Sequence, residues 1–135
     1  PSVLTYLSMF KPDLTPGEGR KKGDYEWYEI QDNTAYFVNF EKQKIIWGLT
    51  ADKWAFAYDS SNHYLPSNGY ILTSEEIKLK YILGVLNSSL MQFYFRFLGV
   101  MTAGGAFTLK HQTIKELPLK IPTLLEENTI ANLVS

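Results

Sequence analysis

Residues 79–98, LKYILGVLNSSLMQFYFRFL, decide the fold. Leu79, Ile82, Leu83, Leu86, Leu90, Phe93, Tyr94 and Phe97 recur at intervals of three and four, the spacing of a helix with one apolar stripe. Upstream, Thr73-Ser74-Glu75-Glu76 has the pattern of a capping box, with two carboxylates suited to the positive end of the helix dipole. Gly99 is a natural stop. Tyr81, Val85, Met91 and Phe95 fall on the opposite face, so one helix, apolar most of the way round, is expected in the core against a sheet. A membrane span needs about 20 apolar residues, and Asn87, Ser88, Ser89, Gln92 and Arg96 interrupt this run.

The segments before this helix look like strands. Lys44–Trp47 is a short apolar run of the kind that forms a central strand. Trp54–Tyr58 alternates aromatics with alanines at a period of two. The Asp59-Ser60-Ser61-Asn62 turn should fold it back on His63–Leu65 as a hairpin. Tyr70–Thr73 is a further strand, and Tyr25–Ile30 has strand composition. Leu4, Leu7 and Phe10 mark a helical turn over residues 3–11, ended by Pro12 and Pro16. Thr15–Asp24, rich in glycine and base, is an exposed loop, and Asp32-Asn33 is a turn. After the helix, Ala103–Ala106 is a tight segment, Phe107–Leu109 a short strand, and Leu117–Pro122 extended because residues before proline avoid helix. Leu125 onwards begins another helix. Strands first and a major helix later give an α+β class, with a mixed, mostly antiparallel sheet packed on a long buried helix.

Size and charge narrow the function. A chain of 135 residues carries a core of its own, and its aromatics are plentiful, with nine Tyr, eight Phe and three Trp. The net charge of −1 makes no general claim on polyanions, so a nucleic-acid surface must be a local patch. The lack of cysteine excludes disulfides, thiolate zinc and thiol nucleophiles, and fits the cytoplasm. No signal or transit peptide is evident. Pro1 in place of Met, and a helix that looks unfinished at Ser135, suggest a piece of a longer protein.

Catalytic motifs are scarce. His63 and His111 stand in no ligand spacing, Gly104-Gly105 precedes a strand rather than a helix, and no serine has a nucleophile-elbow context. Asp13 with Glu76-Ile77-Lys78 spells the letters of a divalent-metal nuclease, but such sites need their carboxylates together at the metal. Glu76 has a simpler place as a helix cap. Cations and amide or hydroxyl side chains in loops, interleaved with aromatics, suit a nucleic-acid surface better. Arg20, Lys21, Lys22, Lys44 and Lys53 are the phosphate candidates. Thr50, Asn62, His63, Lys110 and His111 are the base-edge candidates. The same residues also suit a plain solvated surface.

Several segments in this order resemble a known family. Trp27–Ile30, Phe40–Ile46, Phe56–Asp59 and Leu79–Leu83 are followed by Leu86-Asn87-Ser88, Phe93–Arg96, Gly104–Phe107 and Ile114-Lys115-Glu116-Leu117-Pro118-Leu119. The series, from about Leu14 to Pro122, resembles the TaqI-like C-terminal specificity domain of restriction–modification enzymes. Those are bacterial fused adenine methyltransferase–endonucleases of the type IIG kind, with kinship to type I specificity subunits. The resemblance implies a non-catalytic target recognition domain over residues 1–122 that reads double-stranded DNA beside an N-terminal methyltransferase domain. Residues 123–135 would then start a C-terminal spacer helix. It implies no cofactor in this chain, S-adenosylmethionine and magnesium being expected in the parent enzyme. The alternatives are a protein-interaction module of the same complex, or a metal-dependent nuclease.

Overall fold

The computed structural model describes residues 2–31 and 37–134, and the chain falls into two compact units, Pro1–Phe37 and Val38–Ser135. In the first, Ser2 caps helix α1 (Val3–Leu7) by accepting the N–H of Thr5 at 3.3 Å. A 3-10 turn over Ser8–Phe10 leads into α2 (Lys11–Leu14). Pro12 begins this helix rather than ending one, because the first helical turn needs no donor from it. The expected strand at Tyr25–Ile30 does not form. Glu29 instead closes a tight turn, its N–H donating to Glu26 O at 2.9 Å while its carboxylate accepts the Glu26 N–H at 2.8 Å. The turn expected at Asp32-Asn33 lies outside the described residues.

The second unit runs β1 (Lys44–Gly48), β2 (Thr50–Ala51), β3 (Ala57–Asp59), β4 (Gly69–Leu72), α3 (Leu79–Leu86) and α4 (Ser89–Leu98). It continues through β5 (Val100–Met101), β6 (Phe107–Thr108), α5 (His111–Lys115) and α6 (Leu124–Leu133). Two small sheets result, ordered β3-β1-β4 and β2-β6-β5, every neighbouring pair antiparallel. β1 is central, as its apolar run predicts. The hairpin expected between Trp54–Tyr58 and His63–Leu65 is absent, and β3 pairs with β1 instead, Lys44 opposite Asp59. The Asp59 carboxylate accepts the N–H groups of Ser61 and His63, so the chain after β3 curls round that side chain and does not return as a strand.

The long helix divides at Asn87-Ser88. Ser88 is extended (ψ 149°) and its hydroxyl accepts the N–H of Met91 at 3.2 Å, capping a new helix. One extended residue resets the phase. On α3 the expected stripe is buried at Ile82, Leu83 and Leu86, but on α4 it is Met91 and Phe95 that enter the core. Leu90, Phe93, Tyr94 and Phe97, the continuation of the same stripe, face out. The capping box expected at Thr73–Glu76 is also displaced, because α3 starts only at Leu79. Ser74 there accepts the Ile77 N–H at 3.1 Å and Glu75 meets Lys42 at 3.0 Å. A reciprocal capping box does occur, between Thr123 and Glu126 at the head of α6.

Packing joins these pieces. A β-carbon on Gly84 would come within 2.8 Å of Ile130, so glycine lets α3 lie close against α6. Glu127 of α6, itself buried, accepts the Lys78 N–H at 2.7 Å and so satisfies a free donor at the head of α3. Gly99 ends α4 as expected, its N–H on Phe95 O at 2.6 Å. Trp47, Phe56, Leu83, Phe95, Phe107 and Leu109 belong to one core beneath both sheets. The architecture is α+β, as the order of elements predicts.

Asn87 is the joint of this assembly. Its side-chain oxygen accepts the Phe56 N–H and its amide donates to Phe56 O, each at 2.9 Å, so one amide stands in for a strand partner. Asn87→Ala leaves a backbone donor and acceptor of Phe56 unpaired, at about 1–3 kcal/mol each for buried groups. Both are partly shielded, so urea unfolding should show a loss of about 2–4 kcal/mol.

Candidate nucleic-acid interface

The ten residues proposed for DNA contact fall in both units, and the seven in the second unit do not form one patch. Arg20, Lys21 and Lys22 belong to the first unit. Arg20 is held there: its guanidinium donates to Glu29 O at 2.8 Å and lies 4.7 Å from the Tyr25 ring centre. Lys21 and Lys22 are exposed, and among the described residues neither is paired with a carboxylate.

In the second unit, three candidates far apart in sequence meet at the Gly48 end of β1. Thr50 sits opposite Thr108 in the β2–β6 ladder. The Leu109 N–H donates to Leu49 O at 2.7 Å, and Trp47 Nε1–H to Leu109 O at 3.0 Å. That places exposed Lys110 and His111 beside the end of β1. The His111 ring stacks on Tyr70 with centres 6.4 Å apart, and Tyr70 stacks on Trp47 at 5.5 Å. A column of rings thus runs from the core to the surface and fixes where His111 stands. The antiparallel register carries Lys53 beyond the other end of this ladder, where it is exposed.

Asn62 and His63 lie at the opposite end of β1, just past Asp59, the partner of Lys44. Asn62 is left-handed at φ 58°, a conformation asparagine tolerates better than most residues. Both are exposed.

Lys44 requires correction. Its side chain is 0% exposed and all three ammonium protons are used, by Asp59 Oδ2 at 2.6 Å, Phe40 O at 2.5 Å and Lys42 O at 3.4 Å. An ammonium so enclosed cannot reach a phosphate. Its role is to hold Asp59, whose carboxyl is kept well below the usual carboxylate range by Lys44 first and by the His63 hydrogen bond second. Sequence reasoning misses Asp59 and Tyr70 as parts of these sites. Asp59 carries a signal, since Asp at the head of a Ser-Ser-Asn run commonly accepts backbone donors further along. Tyr70 carries none, because its neighbours Trp47 and His111 are remote in sequence.

A wide cleft of about 840 Å³ lies between residues 73–78 and α6. Lys42, Lys78 and Lys80 line it together with Glu75, Glu76 and Glu127, so it offers no single sign of charge to gather a polyanion. In the Asp13, Glu76, Lys78 pattern, Lys78 Nζ donates to Asn128 and its N–H to Glu127, while Glu76 is exposed in the bend before α3. Among the described residues, no group of three or more His, Asp and Glu side chains is placed to hold a metal ion. No helix among them is long and apolar enough to cross a membrane.

The motif segments that carry the resemblance now have physical roles. Leu-Asn-Ser joins α3, Phe56 and α4, while Phe107 and Leu117 close the core. The family model of the TaqI-like C-terminal specificity domain matches residues 6–119. No curated protein matches the chain. With the match running through both units and all the joining motifs, this chain belongs to the TaqI-like C-terminal specificity domain family.

Proposed function

We propose that the chain reads double-stranded DNA sequence for a restriction–modification enzyme, directing an adenine methyltransferase/endonuclease of the type IIG kind without itself catalysing a reaction. Membership of a specificity-domain family is the observation that carries this, and it supports a DNA sequence-recognition role in restriction–modification. The geometry suits such a role, because a closed core holds short loops and helix ends that present Thr50, Lys53, Asn62, His63, Lys110 and His111. Residues 1–122 would carry recognition, in a domain akin to those of type I specificity subunits, and residues 123–135 would begin a spacer helix. The partner in the parent chain would be a methyltransferase domain in the bacterial cytoplasm, with S-adenosylmethionine and magnesium serving parts outside this chain.

A salt series tests the phosphate contacts. In fluorescence anisotropy with duplex DNA, Lys21→Ala, Lys22→Ala and Lys53→Ala should each weaken binding for all sequences alike. The slope of log affinity against log salt becomes shallower by about 0.9 for each lysine that meets a phosphate. An unchanged slope with all three replaced removes them from the interface.

A second reading, a surface for another part of the complex, is favoured by α4, where Leu90 and Phe97 are 66% and 73% exposed beside Phe93. The two readings are compatible within one chain.

A further inference from the structure

The loop after β3 fixes more than the position of His63. Four donors converge on the Asp59 carboxylate: Ser61 N–H at 2.8 Å and His63 Nδ1 at 2.9 Å on Oδ1, His63 N–H at 3.1 Å and Lys44 Nζ at 2.6 Å on Oδ2. An ionised carboxylate only accepts, so the nitrogen of His63 that meets it must carry the proton. In the neutral ring Nε2 is then bare, a pure acceptor. The His63 side chain is 69% exposed, and Nε2 meets no protein partner among the described residues. Asp59 meets the ring, Lys44 meets Asp59, and the next residue, Tyr64, donates to Glu41 at 3.4 Å.

We propose that His63 is a specificity residue whose Nε2, held as an acceptor by the contact of Nδ1 with Asp59, selects a base presenting an exocyclic amino group, adenine or cytosine. The inference rests on the DNA-recognition reading above. In the major groove adenine N6 and cytosine N4 donate, whereas guanine presents only N7 and O6 acceptors. A bare Nε2 pairs with the first class. Guanine and thymine, which present only acceptors there, leave it unpaired. Asp59 is the positioning residue, because without its carboxylate either ring nitrogen could carry the proton and no single preference would result.

Selection from a randomised duplex pool at pH 8, with the wild-type chain, His63→Ala and His63→Lys, tests this. At pH 8 the wild type should favour adenine or cytosine over guanine at one position by about three- to tenfold, the value of one net hydrogen bond. His63→Ala should leave the position indifferent, and His63→Lys, always a donor, should lose the preference for adenine or cytosine over guanine. Both variants give up the Nδ1 hydrogen bond to the buried Asp59 carboxylate, so each should melt below the wild type while remaining folded, and binding is compared below both melting temperatures. Bound sequences with the same preferences in wild type and His63→Ala overturn the proposal alone. Failure to bind any duplex overturns the recognition reading and this inference with it.

Discussion

Asp59→Asn lowers the stability of the Val38–Ser135 unit by about 3–5 kcal/mol, the usual result of removing one partner from a buried ion pair. The carboxylate accepts from Lys44, from the Ser61 N–H and twice from His63. An amide has one acceptor oxygen and one donating NH₂. Turned one way its NH₂ faces Lys44 and the His63 N–H, turned the other it faces the Ser61 N–H, and in either case Lys44 keeps its charge at 0% exposure without a carboxylate. For a unit of this size the expected fall in melting temperature is tens of degrees, at roughly 4–8 °C per kcal/mol. Replacing both partners, Lys44→Met with Asp59→Asn, should cost less than the sum of the single changes, because no charge is then left buried. Equal costs for the double and the summed singles would show the pair to be uncoupled.

The same pair sets an acid limb. The Asp59 carboxyl titrates near 3.8 when unfolded and lower when folded, so the folded state binds fewer protons in that range. Its stabilisation is complete above about pH 5 and is lost progressively as the pH falls from there toward the depressed folded value. In Asp59→Asn this share of the acid sensitivity disappears.

Phe95→Ala is expected to cost about 3–5 kcal/mol in urea unfolding, the range for emptying a buried phenylalanine site. Phe95 is 0% exposed and is the ring through which α4 reaches the rest of the core. It packs 5.0 Å from Trp54 and 6.1 Å from Phe107, centre to centre, so it joins the loop after β2 to β6. A contrast sharpens the test. Phe93→Ala, two residues away on the exposed face, removes the same number of atoms and should cost well under 1 kcal/mol. If α3 and α4 were one continuous helix in the phase of Leu83 and Leu86, the order of the two costs would be reversed.

That contrast marks the limit of what periodicity reveals. Spacing locates β1, β4 and α6, as well as the apolar faces of α3, because each is an unbroken local pattern. It fails at Asn87-Ser88, where one extended residue resets the helical phase and turns Phe93 and Phe97 outward. The local signal is present, since Asn-Ser-Ser inside an apolar run is a cap sequence. The hairpin fails for another reason: Trp54 and Phe56 alternate correctly, yet Trp54 Nε1–H donates to Leu86 O and Phe56 is held by Asn87. Those partners lie far along the chain, beyond any local rule. Among the site residues, Thr50, Lys110 and His111 are legible as polar loop positions, but their meeting through Leu49 and Tyr70 is not. Lys44 misleads because lysine is rarely buried, and its partner Asp59 is brought to it only by the pairing of β1 with β3.

Selection of bound duplexes from a randomised pool at moderate salt, using the wild-type chain at neutral pH, tests the central claim most directly. Recovery of one short consensus, bound well above random sequence at the same salt, is the result expected of a specificity domain. Binding that is equal for all sequences and disappears as salt is raised would contradict it, leaving only electrostatic contact with phosphates.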